Sequence, residues 1–179
     1  MRYIALLRGI NVGGKNKVSM HDLKNCFENA GFINTRTYIN SGNVIFDSEQ
    51  QSIIDLSNNC HDILEKKFDF PIGLALIDVH TLKEALEHVP DWWGDDPKSK
   101  HNAIFVIQPA TAEEIIEDAG KIKPEYEQLY AYKEIIFWSA PLKTFSRTRW
   151  SKIVGTKAYQ YITIRNANTT KKLLELAQS

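Results

Sequence analysis

The chain has 179 residues, 43% of them hydrophobic and 25% charged, with 22 basic and 22 acidic groups and a formal net charge of zero. That is enough apolar material for one ordinary domain or two small ones. It excludes binding to nucleic acid or a membrane surface through net charge alone, and no apolar run is long enough to span a membrane. The charge is uneven along the chain: residues 1–40 carry six basic and two acidic groups, residues 41–120 five and sixteen, and residues 121–179 eleven and four. Basic ends flank an acidic middle, and pairing across the fold is the plainest use for them.

Tyr3–Leu7 is a short apolar run followed by glycines, which predicts a strand. Ser19 caps a helix whose Met20, Leu23, Cys26, Phe27 and Ala30 share one face, and Gly31 ends it. Arg36–Ile39 and Asn43–Asp47 are two strands around the turn Asn40-Ser41-Gly42. Ile53, Leu56, Cys60, Ile63, Leu64 and Phe68 mark a second helix, with Pro71 beyond its end. Ile72–Asp78 is a fourth strand, and a short helix runs from Thr81 to Val89. The order is βαββαβ with a trailing helix, the ferredoxin-like split arrangement.

Residues 91–100 lie in a polar, turn-rich connector, after which the order repeats. Asn102–Gln108 is a strand and Thr111–Ala119 a helix, followed by a hairpin of Glu127–Tyr132 and Glu134–Trp138. Thr144–Ile153 reads as a helix, Tyr159–Arg165 as a strand and Thr169–Ala177 as the last helix. His80-Thr-Leu-Lys-Glu-Ala-Leu-Glu87 aligns without gaps on Asn168-Thr-Thr-Lys-Lys-Leu-Leu-Glu175, 88 residues downstream, with four of eight positions identical. The expected fold is α+β, two tandem ferredoxin-like units with antiparallel sheets, unit one over 1–90 and unit two over 101–179.

Three separated stretches resemble the signatures of a bacterial family, domain of unknown function 1697: Ala5–Gly14 (ALLRGINVGG), Thr37–Phe46 (TYINSGNVIF) and Arg165–Thr169 (RNANT). The resemblance spans nearly the whole chain. It implies two ferredoxin-like units and a cytoplasmic protein, and it brings no activity with it. The sequence agrees on location. Met1–Arg8 lacks the apolar core of a signal peptide, and Cys26 and Cys60 read as buried thiols suited to a reducing compartment.

Gly9, Gly14, Lys15 and Asn16 come close to the phosphate-loop pattern G-x-x-x-x-G-K-[ST]. The helix cap is nevertheless Ser19, four residues past Lys15, and Asn16 stands where a magnesium-binding hydroxyl is needed. A turn is therefore expected over residues 9–17 in place of a nucleotide cradle. In strand order 4-1-3-2 the end of the first strand and the hairpin between strands 2 and 3 share an edge. That edge holds Arg8, Asn11, Gly13, Gly14, Lys15 and Lys17 beside Ser41 and Asn43, a candidate ligand-binding group. The competing reading is structural, with Gly13-Gly14 as a turn, Ser41-Gly42 as a hairpin tip and Asn43 bonding the neighbouring loop.

In unit two the richer edge is the opposite one. Lys143 is expected to open a helix there, followed by Arg147, and Arg165 and Asn166 end the last strand. Asn168 is expected as the cap of the last helix. These cations could hold an anion, or pair with the acidic middle segment. No metal-ligand spacing, nucleophile elbow, activated cysteine or cofactor motif occurs, so no catalytic residue is assigned. The tryptophans at 92, 93, 138 and 150 are expected to pack between the units. The leading expectation is a small anionic or phosphorylated ligand. The alternatives are nucleic acid held by the basic ends, and a protein-interaction module with no small ligand. A sheet apolar on both faces argues against an RNA-stacking platform.

Overall fold

The computed structural model describes residues 1–50 and 52–179. The chain divides into two compact units, Met1–Leu82 with Leu173–Ser179, and Lys83–Lys172. Unit one holds β1 (Arg2–Arg8), α1 (Met20–Asn29), β2 (Ile33–Tyr38), β3 (Asn43–Asp47), α2 (Ile53–Lys67), β4 (Gly73–Asp78) and the start of α3 (Val79–His88). Unit two holds β5 (Ser99–Val106), α4 (Ala112–Ala119), β6 (Gln128–Tyr132), β7 (Ile135–Pro141), β8 (Ile162–Asn166) and the start of α5 (Ala167–Gln178). The sheets have order β2-β3-β1-β4 and β6-β7-β5-β8. Every neighbouring pair is antiparallel, as the split arrangement requires. Each unit takes in part of a helix that trails the other: α3 crosses from unit one into unit two, and α5 crosses back.

In unit one, alternation along β1 sends Tyr3, Ala5 and Leu7 to a core with Phe27 of α1, Leu56, Cys60 and Leu64 of α2, and Phe46. The intervening Ile4 and Leu6, with Ile45 and Ile77, are also buried, so both faces of the sheet are covered. The last turns of α5 are tied to this unit, where Arg2 donates to the carbonyl of Ala177 and Arg36 to that of Leu176. Arg2 also pairs with Asp47 at 2.8 Å, holding that carboxyl below its usual range. Cys26 and Cys60 are buried free thiols; burial pushes both up, Cys60 to about 12.

In unit two, Ile104, Ile136, Trp138 and Ile162 pack against Ile115, Trp150 and Ile153. The other face buries Ala103, Phe105, Phe137, Thr163 and Arg165. Three of the tryptophans serve this unit internally. The indoles of Trp93, Trp138 and Trp150 donate to the Asn102 carbonyl, the Glu127 carboxylate and the Gly120 carbonyl.

The structure departs from the sequence expectation over residues 144–153, where no α-helix forms. Three short 3-10 turns, Leu142–Arg147, Trp150–Gly155 and Lys157–Tyr161, take its place. Hydroxyls compete for the backbone there: Thr148 Oγ1 donates to the Phe145 carbonyl at 2.7 Å and accepts from the Ser151 amide at 3.2 Å. The Glu127 carboxylate takes the amides of Arg149 at 2.7 Å and Trp150 at 3.0 Å, which a continuing α-helix would need for itself.

Candidate functional site

The duplication carries one local device in both copies. Asp78 Oδ1 accepts from the Thr81 amide at 2.8 Å, and 88 residues on, Asn166 Oδ1 accepts from the Thr169 amide at 2.8 Å. Asn166, not Asn168, therefore caps α5, and the helix begins at Ala167. Asn168 is left exposed in its first turn.

A cleft of about 560 Å³ opens at this end of unit two, between the start of α5 and the segment that leads into β5. Its lining includes Asp95, Asp96, Lys100, His101, Asn166 and Asn168. The acids have partners. Asp95 pairs with Lys171 at 2.6 Å, and Asp96 accepts from the Ser99 hydroxyl at 2.6 Å and the Lys98 amide at 2.9 Å. These bonds hold both carboxyls below their usual range, so both are ionised at neutral pH. Lys100 Nζ lies 5.0 Å from the Phe145 ring centre.

His101 forms part of the wall and is only 8% exposed. Its Nε2 lies 2.9 Å from the Asp96 carbonyl, which only accepts, so Nε2 carries the hydrogen. With Nε2–H as the only ring donor, Nδ1 accepts from the Ser139 hydroxyl at 2.5 Å. A serine, a base and a group orienting that base have the form of an activated nucleophile. Ser139, however, is 3% exposed and lies outside the cleft lining. The pair anchors the cleft wall to β7. Sequence reading missed it by starting the strand at Asn102, whereas β5 begins at Ser99 and His101 faces Ser139 directly across β5 and β7.

The other sequence candidates of unit two are dispersed. Lys143 is exposed beside Leu142, which lines the cleft. Arg147 lies 5.7 Å from the Tyr126 ring, outside the lining. Arg165, expected at the surface as a strand-end cation, is buried at 7% exposure on the second sheet face. It donates to Thr163 Oγ1 and to the Ile164 carbonyl, and burial pushes its guanidinium down to about 10.

In unit one, residues 9–17 form a loop and α1 begins at Met20, with Ser19 Oγ accepting from the Asp22 amide. The lysine of the near-phosphate-loop thus precedes the helix, and its backbone does not have the required geometry. The loop and the hairpin turn do meet: Asn11 Nδ2 donates to the Asn40 and Val18 carbonyls, each at 2.9 Å. The Leu7 amide donates to the Gly42 carbonyl at 2.8 Å. Gly42 has φ +79°, and a Cβ there would come within 2.5 Å of Ile10 Cδ1, so glycine is required. Asn43 is fully buried, with Nδ2 donating to the Tyr38 carbonyl and the Ser41 hydroxyl. The amides of Asn11 and Asn43 thus serve the protein's own backbone. Gly13, Gly14 and Lys15 form an exposed tip.

Among the described residues no group of three or more metal-binding side chains comes together, and no helix is long and apolar enough to cross a membrane.

The protein is similar to the solved structure of a conserved bacterial protein from Streptococcus pneumoniae, with 31% identity over 98% of each chain and a TM-score of 0.89. No curated protein matches the chain. A family model described as protein of unknown function (DUF1697) matches residues 1–137, which include two of the three motif stretches. The chain belongs to this family, DUF1697.

Proposed function

We propose that the chain binds a small anionic ligand in the cleft of unit two, against the first turn of α5. The observation that carries this reading is the polar cleft itself, whose volume of about 560 Å³ is within the usual range for small-molecule sites. The 12-residue α5 presents its N-terminal dipole there, and Asn168 adds an amide that the helix cap does not use. The ionised Asp95 and Asp96 oppose a second anionic group and accept from hydroxyls. A singly phosphorylated or carboxylated polyol suits this lining better than a polyphosphate. Apart from the His101 imidazole, which is held in the wall, no aromatic ring lines the cleft, so a nucleobase would find little to stack on there. The unit-one edge is the weaker candidate, because Asn11 and Asn43 are engaged with backbone. Nucleic acid is disfavoured by the covered sheet faces.

A thermal-shift series with inorganic phosphate, sugar phosphates and organic acids tests the proposal. Ligand at 100 times its dissociation constant stabilises by about 2.7 kcal/mol, and Asn168→Asp should abolish the shift while leaving the unliganded melting temperature nearly unchanged. If no anion shifts the melting temperature, or if Asn168→Asp shifts as the parent does, the cleft is not the site. Tight RNA binding that weakens steeply with salt would favour the nucleic-acid reading.

A further inference from the structure

The unit-one edge has a second set of features that the cleft does not explain. Val12 is 68% exposed and Ile39 is 45% exposed, on two loops joined by the Asn11–Asn40 hydrogen bond. Ile39 also has φ +49°, a left-handed conformation that is a true outlier for a β-branched side chain. Backbone strain and an aliphatic side chain in water both cost stability, and burial inside the unit repays neither. The conjunction of strain and exposure at Ile39 makes this edge a candidate for a contact outside the protein.

The loop tip projects. A Cβ added at Gly9, Gly13 or Gly14 would meet no atom within 4 Å, and every residue from Val12 to Lys17 is exposed. Cations lie at the same sheet edge. Arg8 ends β1, Lys15 and Lys17 lie on the loop, and Lys66 and Lys67 end α2 at the same sheet edge. The acids at this edge are Asp22, in the first turn of α1, together with Glu65 and Asp69 around the end of α2.

We infer that this edge docks on an anionic lipid surface, with Val12 and Ile39 entering the interface and the lysines meeting headgroups. A projecting tip suits a fluid, planar partner that needs no matching shape. A nucleic acid would use the cations but has no use for two exposed aliphatic residues, and the tips carry no aromatic ring to stack on bases.

The test is co-sedimentation of the full chain with phosphatidylglycerol-containing vesicles and with neutral phosphatidylcholine vesicles. Binding to the anionic vesicles alone is expected, weakening as salt rises. Val12→Asp, Ile39→Asn and Lys15→Glu should each reduce it several-fold. Ile39→Asn relieves backbone strain, so its loss of binding cannot be attributed to unfolding; its melting temperature should hold or rise. Absence of binding to anionic vesicles overturns the inference, as does binding that Val12→Asp and Ile39→Asn leave intact. Binding of single-stranded RNA that Lys15→Glu weakens and Val12→Asp does not would reassign the edge to nucleic acid.

Discussion

Ile39 is the residue whose local chemistry conflicts most with its position. A left-handed conformation costs an L-residue roughly 1–2 kcal/mol, less for asparagine because its side chain bonds locally. Ile39 bears that cost while 45% exposed and outside the core of unit one, so core packing offsets little of it. Ile39→Asn should therefore raise unfolding stability by about 1 kcal/mol, measured by urea denaturation. An unchanged or lowered midpoint would mean that the aliphatic side chain is used within the unit. Asn11 and Asn16, both at positive φ, show the relieved alternative, because each bonds backbone through its own amide. Asn43 and Arg165 carry a different lesson. Both looked like ligand donors from their motifs, yet a polar side chain at a strand end also satisfies backbone or becomes covered, and its neighbours in sequence do not decide which.

At the scale of elements, Glu127 fixes the least regular part of unit two. Its buried carboxylate accepts from the amides of Lys123, Arg149 and Trp150 and from the Trp138 indole. Glu127→Gln removes acceptor capacity and turns an NH₂ toward these donors, so it should cost about 3 kcal/mol, read from tryptophan fluorescence during denaturation. A loss below about 1 kcal/mol would show that the 3-10 segment holds without it. This segment also marks the limit of what the sequence made legible. Strands with clear alternation, the Ser19 cap and the helix that follows Thr111 depend on neighbours in the chain, and they were readable. The fold of residues 142–161 depends on a carboxylate some twenty positions upstream, which no local pattern reports. Phe145, Trp150 and Ile153 keep enough helical spacing to mimic an amphipathic helix, although hydroxyls and Glu127 take the backbone groups. Around the cleft, the sequence places Asn166 at the end of the last strand, as β8 does, but it starts the preceding strand at Asn102 in place of Ser99 and takes Asn168 for the cap.

At the scale of the whole molecule, one plan occurs twice, with three 3-10 turns in unit two where unit one has α2, and the copies also differ at their edges. The cap at the end of the fourth strand is Asp78 in one copy and Asn166 in the other, with the same bond to a threonine amide. The change from carboxylate to neutral amide removes a negative charge at the place where unit two opens its cleft. Unit one instead spends its residues on a projecting glycine loop at the opposite edge of its sheet. The two copies thus offer different surfaces from one topology. The central claim, that the cleft of unit two holds a small anion, is tested most directly by amide NMR during titration with a sugar phosphate. The account predicts saturable shifts confined to residues 94–101 and 166–169, lost in Asn168→Asp. Shifts centred instead on residues 8–17 and 39–43, or none at millimolar ligand, would contradict it.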